Sequence, residues 1–199
     1  LVPPMKRSLQ LTGAGLLVGL IALQFVPVLR NAGPAEGPSS LVATQPVPAG
    51  VQAILRRACY DCHSNFTKYP WYAAVQPVGW WLNDHVTEGK AELNFSEFAT
   101  YSTKRAVRKL RSTADEVRER HMPLKSYLLA HSEAKLADAD VVTIANWAED
   151  LAAVYMAGWL WDHGQAGLIY AAPEHFFGGQ AESWTPILNG CWTDTAAPS

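Results

Sequence analysis

Cys59-Tyr60-Asp61-Cys62-His63 is the stretch that decides how the rest of this chain is read. It has the spacing C-x-x-C-H, the signature of covalent c-type haem attachment. Two thiols three residues apart lie on neighbouring faces of a helical turn, within reach of the two vinyl groups of one porphyrin. The imidazole that follows the second thiol is then carried beneath the iron as its proximal ligand. Two other chemistries use the same residue types. A thioredoxin-like redox pair needs a preceding strand within a βαβ pattern, and none is visible here. A zinc site needs a second ligand pair at matching spacing, and Cys191, the third cysteine, stands apart. The motif therefore predicts one haem c, attached at Cys59 and Cys62 and ligated by His63.

Composition agrees with a cofactor-centred domain. The chain has 199 residues, room for one domain with extensions. Half of it is hydrophobic, and eight Trp, seven Tyr and six Phe are ample for a core or a pocket. A net charge of −2 supplies no global field for nucleic acid or a membrane surface. Three cysteines are too few for a disulfide scaffold.

Upstream of the motif, Lys6 and Arg7 precede an apolar run over residues 8–29. A run of that length is expected to cross a bilayer as a transmembrane signal anchor. No clear A-x-A site follows it; a cleaved signal peptide is the alternative. Either way the positive charges ahead of the run leave residues 1–7, with Met5 as the expected start, in the cytoplasm. The remainder is sent to the periplasmic side of the bacterial inner membrane, where c-type haem is attached. Residues 30–47 are rich in Pro, Gly, Ala and Ser and read as a flexible linker.

Residues 48–158 carry the haem-binding domain. Val51, Ile54, Leu55, Ala58 and Cys62 repeat on one helical face, which predicts a helix from Pro48 with the haem motif on its last turn. Residues 69–81 hold five aromatics and two prolines, expected as a rigid non-helical wall over the porphyrin. A short helix is expected from Ser96 to Tyr101, a second from Thr103 to Arg111, and a third opened by a Thr113–Glu116 capping box and ended by Pro123. Lys104, Arg105, Arg108 and Lys109 make a basic face, read as a solvated surface or as a dock for an acidic redox partner. A last amphipathic helix is expected from Asp138 to a stop at Gly158. No segment alternates with period two, so the domain is expected to be all-α and cytochrome c-like. Residues 159–199, with His163, His175 and Cys191, form a tail without a clean period.

A haem with His63 on one side needs a partner on the other. Met122 is the first candidate, because Met/His ligation is the arrangement of electron-transfer cytochromes c. It lies between a helix end and Pro123, whose fixed φ stiffens the segment. His85 is the alternative; His121 and His131 compete less well. A five-coordinate iron, suited to a sensor or a peroxidase-like enzyme, is the remaining option.

Several stretches together resemble the bacterial haem-binding domain family. They are Cys59-Tyr-Asp-Cys-His-Ser-Asn65, Tyr69-Pro-Trp-Tyr72, Pro77-Val78, His85 with Glu88-Gly89, Leu93-Asn-Phe-Ser96, Met122-Pro123, and His131 with Glu133-Ala134. Members are short, membrane-anchored or secreted monohaem proteins. The resemblance implies His63 as proximal and Met122 as distal ligand, and it keeps a histidine at the position of His85. Members usually carry a Gly and an acidic residue before the Met-Pro pair, where this chain has Glu119-Arg120-His121. The expected activity is single-electron transfer by a carrier rather than an enzyme, with no nucleic-acid partner.

Overall fold

The computed structural model describes residues 4–165, with side chains from residue 8 onward. Among these residues the protein is all-α, and the strand-like feature is an isolated antiparallel bridge between Ala32 and Phe66. The chain packs as two units. One takes the N-terminal residues to 46 together with 59–97, and the other takes 47–58 together with residues from 98 onward.

The first unit begins with helix α1, Pro4–Leu23, opened by a proline where a missing N–H costs nothing. Its apolar side chains, among them Leu9, Leu16, Leu17 and Ile21, are exposed. No described helix is long and apolar enough to cross a membrane, so the spanning helix expected over residues 8–29 finds no support here. α1 ends before Gln24, which folds onto Gln76 through two reciprocal bonds. The Gln76 N–H donates to Gln24 Oε1 at 2.9 Å, and Gln24 Nε2 donates to the Gln76 carbonyl at 3.2 Å.

Residues 30–47 read by composition as a flexible linker, yet they carry defined contacts. Asn31 donates from Nδ2 to the Ser64 carbonyl and to Thr67 Oγ1, both at 2.9 Å, and accepts from Lys90 Nζ at 2.8 Å. Its N–H donates to Tyr69 Oη, and its carbonyl accepts the Thr67 N–H. Ser40 and Leu41 are fully buried, Leu41 opening the one-turn helix α2, Leu41–Thr44. Small polar residues make this possible: a single Asn can satisfy backbone and side-chain partners together.

The Cys59–His63 stretch has its own turn, α4, Tyr60–His63, and α5 covers Val78–Glu92. The aromatic stretch expected as a non-helical wall is thus partly helical. Pro70 precedes a 3-10 turn, Trp71–Ala74, and Pro77 precedes α5, so both prolines fall where the helix needs no donor. Trp71 is 81% exposed and Trp81 49%, so these two rings do not form a buried wall.

In the second unit, α3 (Ala49–Ala58), α6 (Thr103–Arg118) and α8 (Asp138–Asp162) form the core. The short helix expected from Ser96 is a 3-10 segment, Phe95–Thr100. The two helices expected between Thr103 and Pro123 are one. Thr113 bonds back to the Lys109 carbonyl at 2.8 Å instead of capping a new start, a bond open to a mid-helix threonine. Ser102 caps α6, accepting from Arg105 N–H. Ala106, Val107, Leu110, Ala114 and Val117 are buried on α6, and Ile144, Ala145, Ala148, Leu151 and Ala152 on α8. The alanines let these two helices approach closely. Asp140 holds the Ala137 N–H at the start of α8 and pairs with Arg57 of α3 at 2.6 Å. Gly158 does not stop α8, which runs on to Asp162 because the residues around the glycine are good helix formers. His163 follows, stacked on Trp159 at 4.2 Å; His175 and Cys191 lie outside the described residues.

Leu110 is 1% exposed, and truncating it leaves a cavity under α6. Leu110→Ala should cost about 2–5 kcal/mol in a denaturant titration of the folded protein, against less than about 0.5 kcal/mol for Ser112→Ala on the exposed face.

Candidate functional site

The chain departs from helix at Cys59, with φ −124° and ψ −37°, and restarts as α4. This corrects the expectation that the motif lies on the last turn of the preceding helix. The Cys59 carbonyl accepts the N–H of Cys62 at 3.2 Å and of His63 at 2.9 Å. Both thiols and the imidazole thus hang from one closed turn. The loop behind it folds back: Thr67 Oγ1 donates to the Asp61 carbonyl at 2.6 Å, and the Lys68 N–H donates to Asp61 Oδ1 at 3.1 Å.

His63 Nδ1 lies 3.0 Å from the Leu93 carbonyl oxygen. A carbonyl only accepts, so Nδ1 carries the proton and the basic lone pair belongs to Nε2. This is the tautomer of a metal-ligating imidazole braced by a backbone acceptor. Phe95, 2% exposed, meets the His63 ring edge-on at 6.3 Å and stacks on Tyr60 at 5.6 Å. One short segment after α5 therefore supplies both the bond and the packing that orient His63. No periodicity marks Leu93 as an acceptor, and the sequence reading assigned it no role.

Cys62 is covered by α5 at Gly89. A β-carbon at position 89 would lie 2.8 Å from the Cys62 carbonyl oxygen and 3.1 Å from its Cβ. Burial, helped by the Asp61 carboxylate, pushes the Cys62 thiol up to about 11. A thiolate at Cys62 is therefore disfavoured near neutral pH. Among the described residues, no three His, Cys, Asp or Glu side chains group to hold a metal ion by themselves.

His85 lies on α5 one turn before Gly89. Its ring sits 4.5 Å from Trp81, with Nδ1 2.9 Å from the Trp81 carbonyl, so its lone pair also belongs to Nε2. Met122 belongs to the second unit. It is half-buried and follows a capped helix end. His121 N–H and Arg120 N–H close onto the carbonyls of Glu116 and Val117, the pattern of a Schellman cap. Arg120 takes φ 59° there, a conformation that favours glycine. Its guanidinium compensates by donating to the Leu136 carbonyl at 2.8 Å and pairing with Asp138. The Met122 N–H donates to the Glu116 carbonyl at 3.2 Å, and the Met122–Pro123 bond is cis. His121 faces the Glu116 and Glu119 carboxylates at 3.5 and 3.3 Å. His131 stacks on Tyr127 at 4.1 Å and bonds its carbonyl.

The donor set on α4 fits a haem: two thiols and a tautomer-fixed imidazole on one turn, with aromatic packing behind. Gly89 is the contact that seats this turn. Gly89→Val should force Cys62 and α5 apart, costing about 1–3 kcal/mol, and should lower the haem content of purified protein relative to the unsubstituted chain. Equal haem content and equal stability would show that α5 does not seat the motif.

No curated protein and no solved structure matches the chain. The model of the haem-binding domain family matches residues 18–150, more than half of its length and inclusive of α4, α5, α6 and Met122. With that match laid over the turn that carries Cys59, Cys62 and His63, the chain belongs to the haem-binding domain family.

Proposed function

We propose that this protein is a monohaem c-type electron carrier, with haem attached through Cys59 and Cys62 and His63 as proximal ligand. The observation that carries the reading is the 3.0 Å contact between His63 Nδ1 and the Leu93 carbonyl, on the same turn as both thiols. When bound, the haem supplies one-electron exchange between ferric and ferrous iron. The chain's own residues bind and orient. Leu93 holds the imidazole in one tautomer, Phe95 limits its rotation, and Gly89 seats the Cys62 turn. Met122 is the distal ligand in this proposal, since a thioether favours the reduced state and the segment around it is braced by the Arg120 cap and by Pro123. His85 is the second reading. It is favoured by lying on the helix that contacts Cys62 and by having Nε2 as its basic nitrogen.

Haem staining after denaturing electrophoresis tests attachment: the unsubstituted chain should stain, and the Cys59→Ser, Cys62→Ser double variant should not. Visible spectra then separate the ligands. Met122→Ala should turn low-spin iron high-spin, remove the long-wavelength sulfur-to-iron band and admit carbon monoxide quickly, while His85→Ala leaves these features in place. The opposite pattern identifies a bis-His haem of low potential. An unsubstituted protein that is already high-spin and binds carbon monoxide at once is a sensor or peroxidase-like enzyme instead.

The haem domain faces the periplasm in this reading, attached to the inner membrane by the exposed leucines of α1. Its redox partner is a protein with an acidic surface that docks at Lys104, Arg105, Arg108 and Lys109. Lys104 and Arg108 are exposed on α6, and Arg105 lies over Tyr101 at 4.0 Å. A reporter active only outside the cytoplasm, fused after Gly50, should be active. Activity from a cytoplasm-only reporter at the same junction would overturn both the orientation and the attachment chemistry.

A further inference from the structure

Around His63 a ring of bonds closes between the Cys59–Asn65 and Leu93–Ser96 stretches. From His63 the chain runs through Ser64 to Asn65. Asn65 Oδ1 accepts from Asn94 Nδ2 at 2.9 Å. Asn94 is joined by its peptide to Leu93, and the Leu93 carbonyl returns to His63 Nδ1 at 3.0 Å. The Leu93 carbonyl lies in the peptide plane that ends at the Asn94 nitrogen, so whatever holds Asn94 aims that oxygen. Asn94 is held at both ends of its side chain. Its Oδ1 accepts the Ser96 N–H at 3.0 Å, an Asx turn, while its Nδ2 reaches Asn65. Ser96 closes a second link, accepting the Asn65 N–H at 2.9 Å and donating to the Ala35 carbonyl. Asn65 Nδ2 donates to Glu97 Oε1 at 3.0 Å. Asn94 and Ser96 are each 5% exposed, so water has little access to replace these bonds.

We infer that Asn94 and Asn65 are positioning residues that aim the Leu93 carbonyl at His63 and thereby set the ligand strength of its Nε2. An acceptor on Nδ1–H raises the basicity of the imidazole toward a metal. A more basic axial ligand favours ferric over ferrous iron and lowers the potential. The ring is thus a means of holding that potential at one value. A carbonyl free to swing would give a weaker ligand and a spread of potentials. The inference rests on His63 being the proximal ligand, and its test keeps the two claims apart.

The test is made on the full-length haem-loaded protein. Haem staining of the unsubstituted chain comes first; absence of covalent haem there removes the proximal reading itself. With haem present, Asn94→Ala and Asn65→Ala should each shift the midpoint potential upward. Each should also lower the iron–histidine stretching frequency measured by resonance Raman in a ferrous five-coordinate form. The double variant should shift no further than either single one, because one broken link opens the ring. Asn94→Ser guards against loss of folding. Its hydroxyl still accepts the Ser96 N–H, so the turn survives and only the bond to Asn65 is lost; the same shifts are expected. Thr44→Val, which removes a 2.9 Å bond to the Ser40 carbonyl outside the ring, should leave potential and frequency unchanged. Unchanged potential and frequency in Asn94→Ser with its haem retained would overturn the inference, as would a Thr44→Val shift equal to that of Asn94→Ser.

Discussion

The bond from His63 Nδ1–H to the Leu93 carbonyl is the constraint on which the first unit depends. It joins α4, one turn long, to the end of α5, beside the close approach of Gly89 to Cys62. A one-turn helix has no cooperative stability of its own, so α4 exists because its flanks are tied. Thr67 and Lys68 hold Asp61 from one side, and Leu93 with Phe95 holds His63 from the other. The close approach at Gly89 then sets how near α5 lies to Cys62. Polar bonds and packing around this turn use the same few residues.

The second unit is built differently. Its stability comes from the apolar seam between α6 and α8, and its polar contacts mark helix ends. Arg57 with Asp140, Arg118 with Glu149, and Arg120 with Asp138 all sit near termini of α3, α6 or α8. Arg120 shows how a local rule can be broken and compensated. It accepts a backbone conformation that costs an L-residue about 1–2 kcal/mol, while its side chain secures the Leu136 carbonyl and the start of α8. A glycine would remove the cost and the two bonds together.

Much of this was legible in the sequence, and the losses have physical causes. The all-α class, α8 and the burial of Val51, Ile54 and Leu55 followed from helical spacing, which reports one apolar face over several turns. The C-x-x-C-H spacing pointed to haem before any fold was known, and the family match supports haem binding. Boundaries were less legible. Cys59 breaks the helix through its backbone angles, which no side chain in the motif signals. Thr113 looked like a cap because its spacing to Glu116 is that of a capping box, but the same hydroxyl can bond backward. Residues 30–47 looked loose because small polar residues suit linkers and tight polar networks equally. Gln24 looked like a tolerated polar residue inside an apolar run, although its partner, Gln76, lies 52 residues away. Leu93, Asn94 and Gly89 act through a carbonyl, an amide and a missing side chain, none of which a periodicity records.

The burial of Cys62 carries a statement about order in time. Burial, with the Asp61 carboxylate adding to it, pushes its thiol from 9.0 up to about 11. Gly89, which closes over Cys62, lies later in the chain. A newly made chain therefore passes through an interval in which Cys62 is solvated and at its most reactive. Any chemistry that consumes the thiol is fastest in that interval and slows once Gly89 arrives.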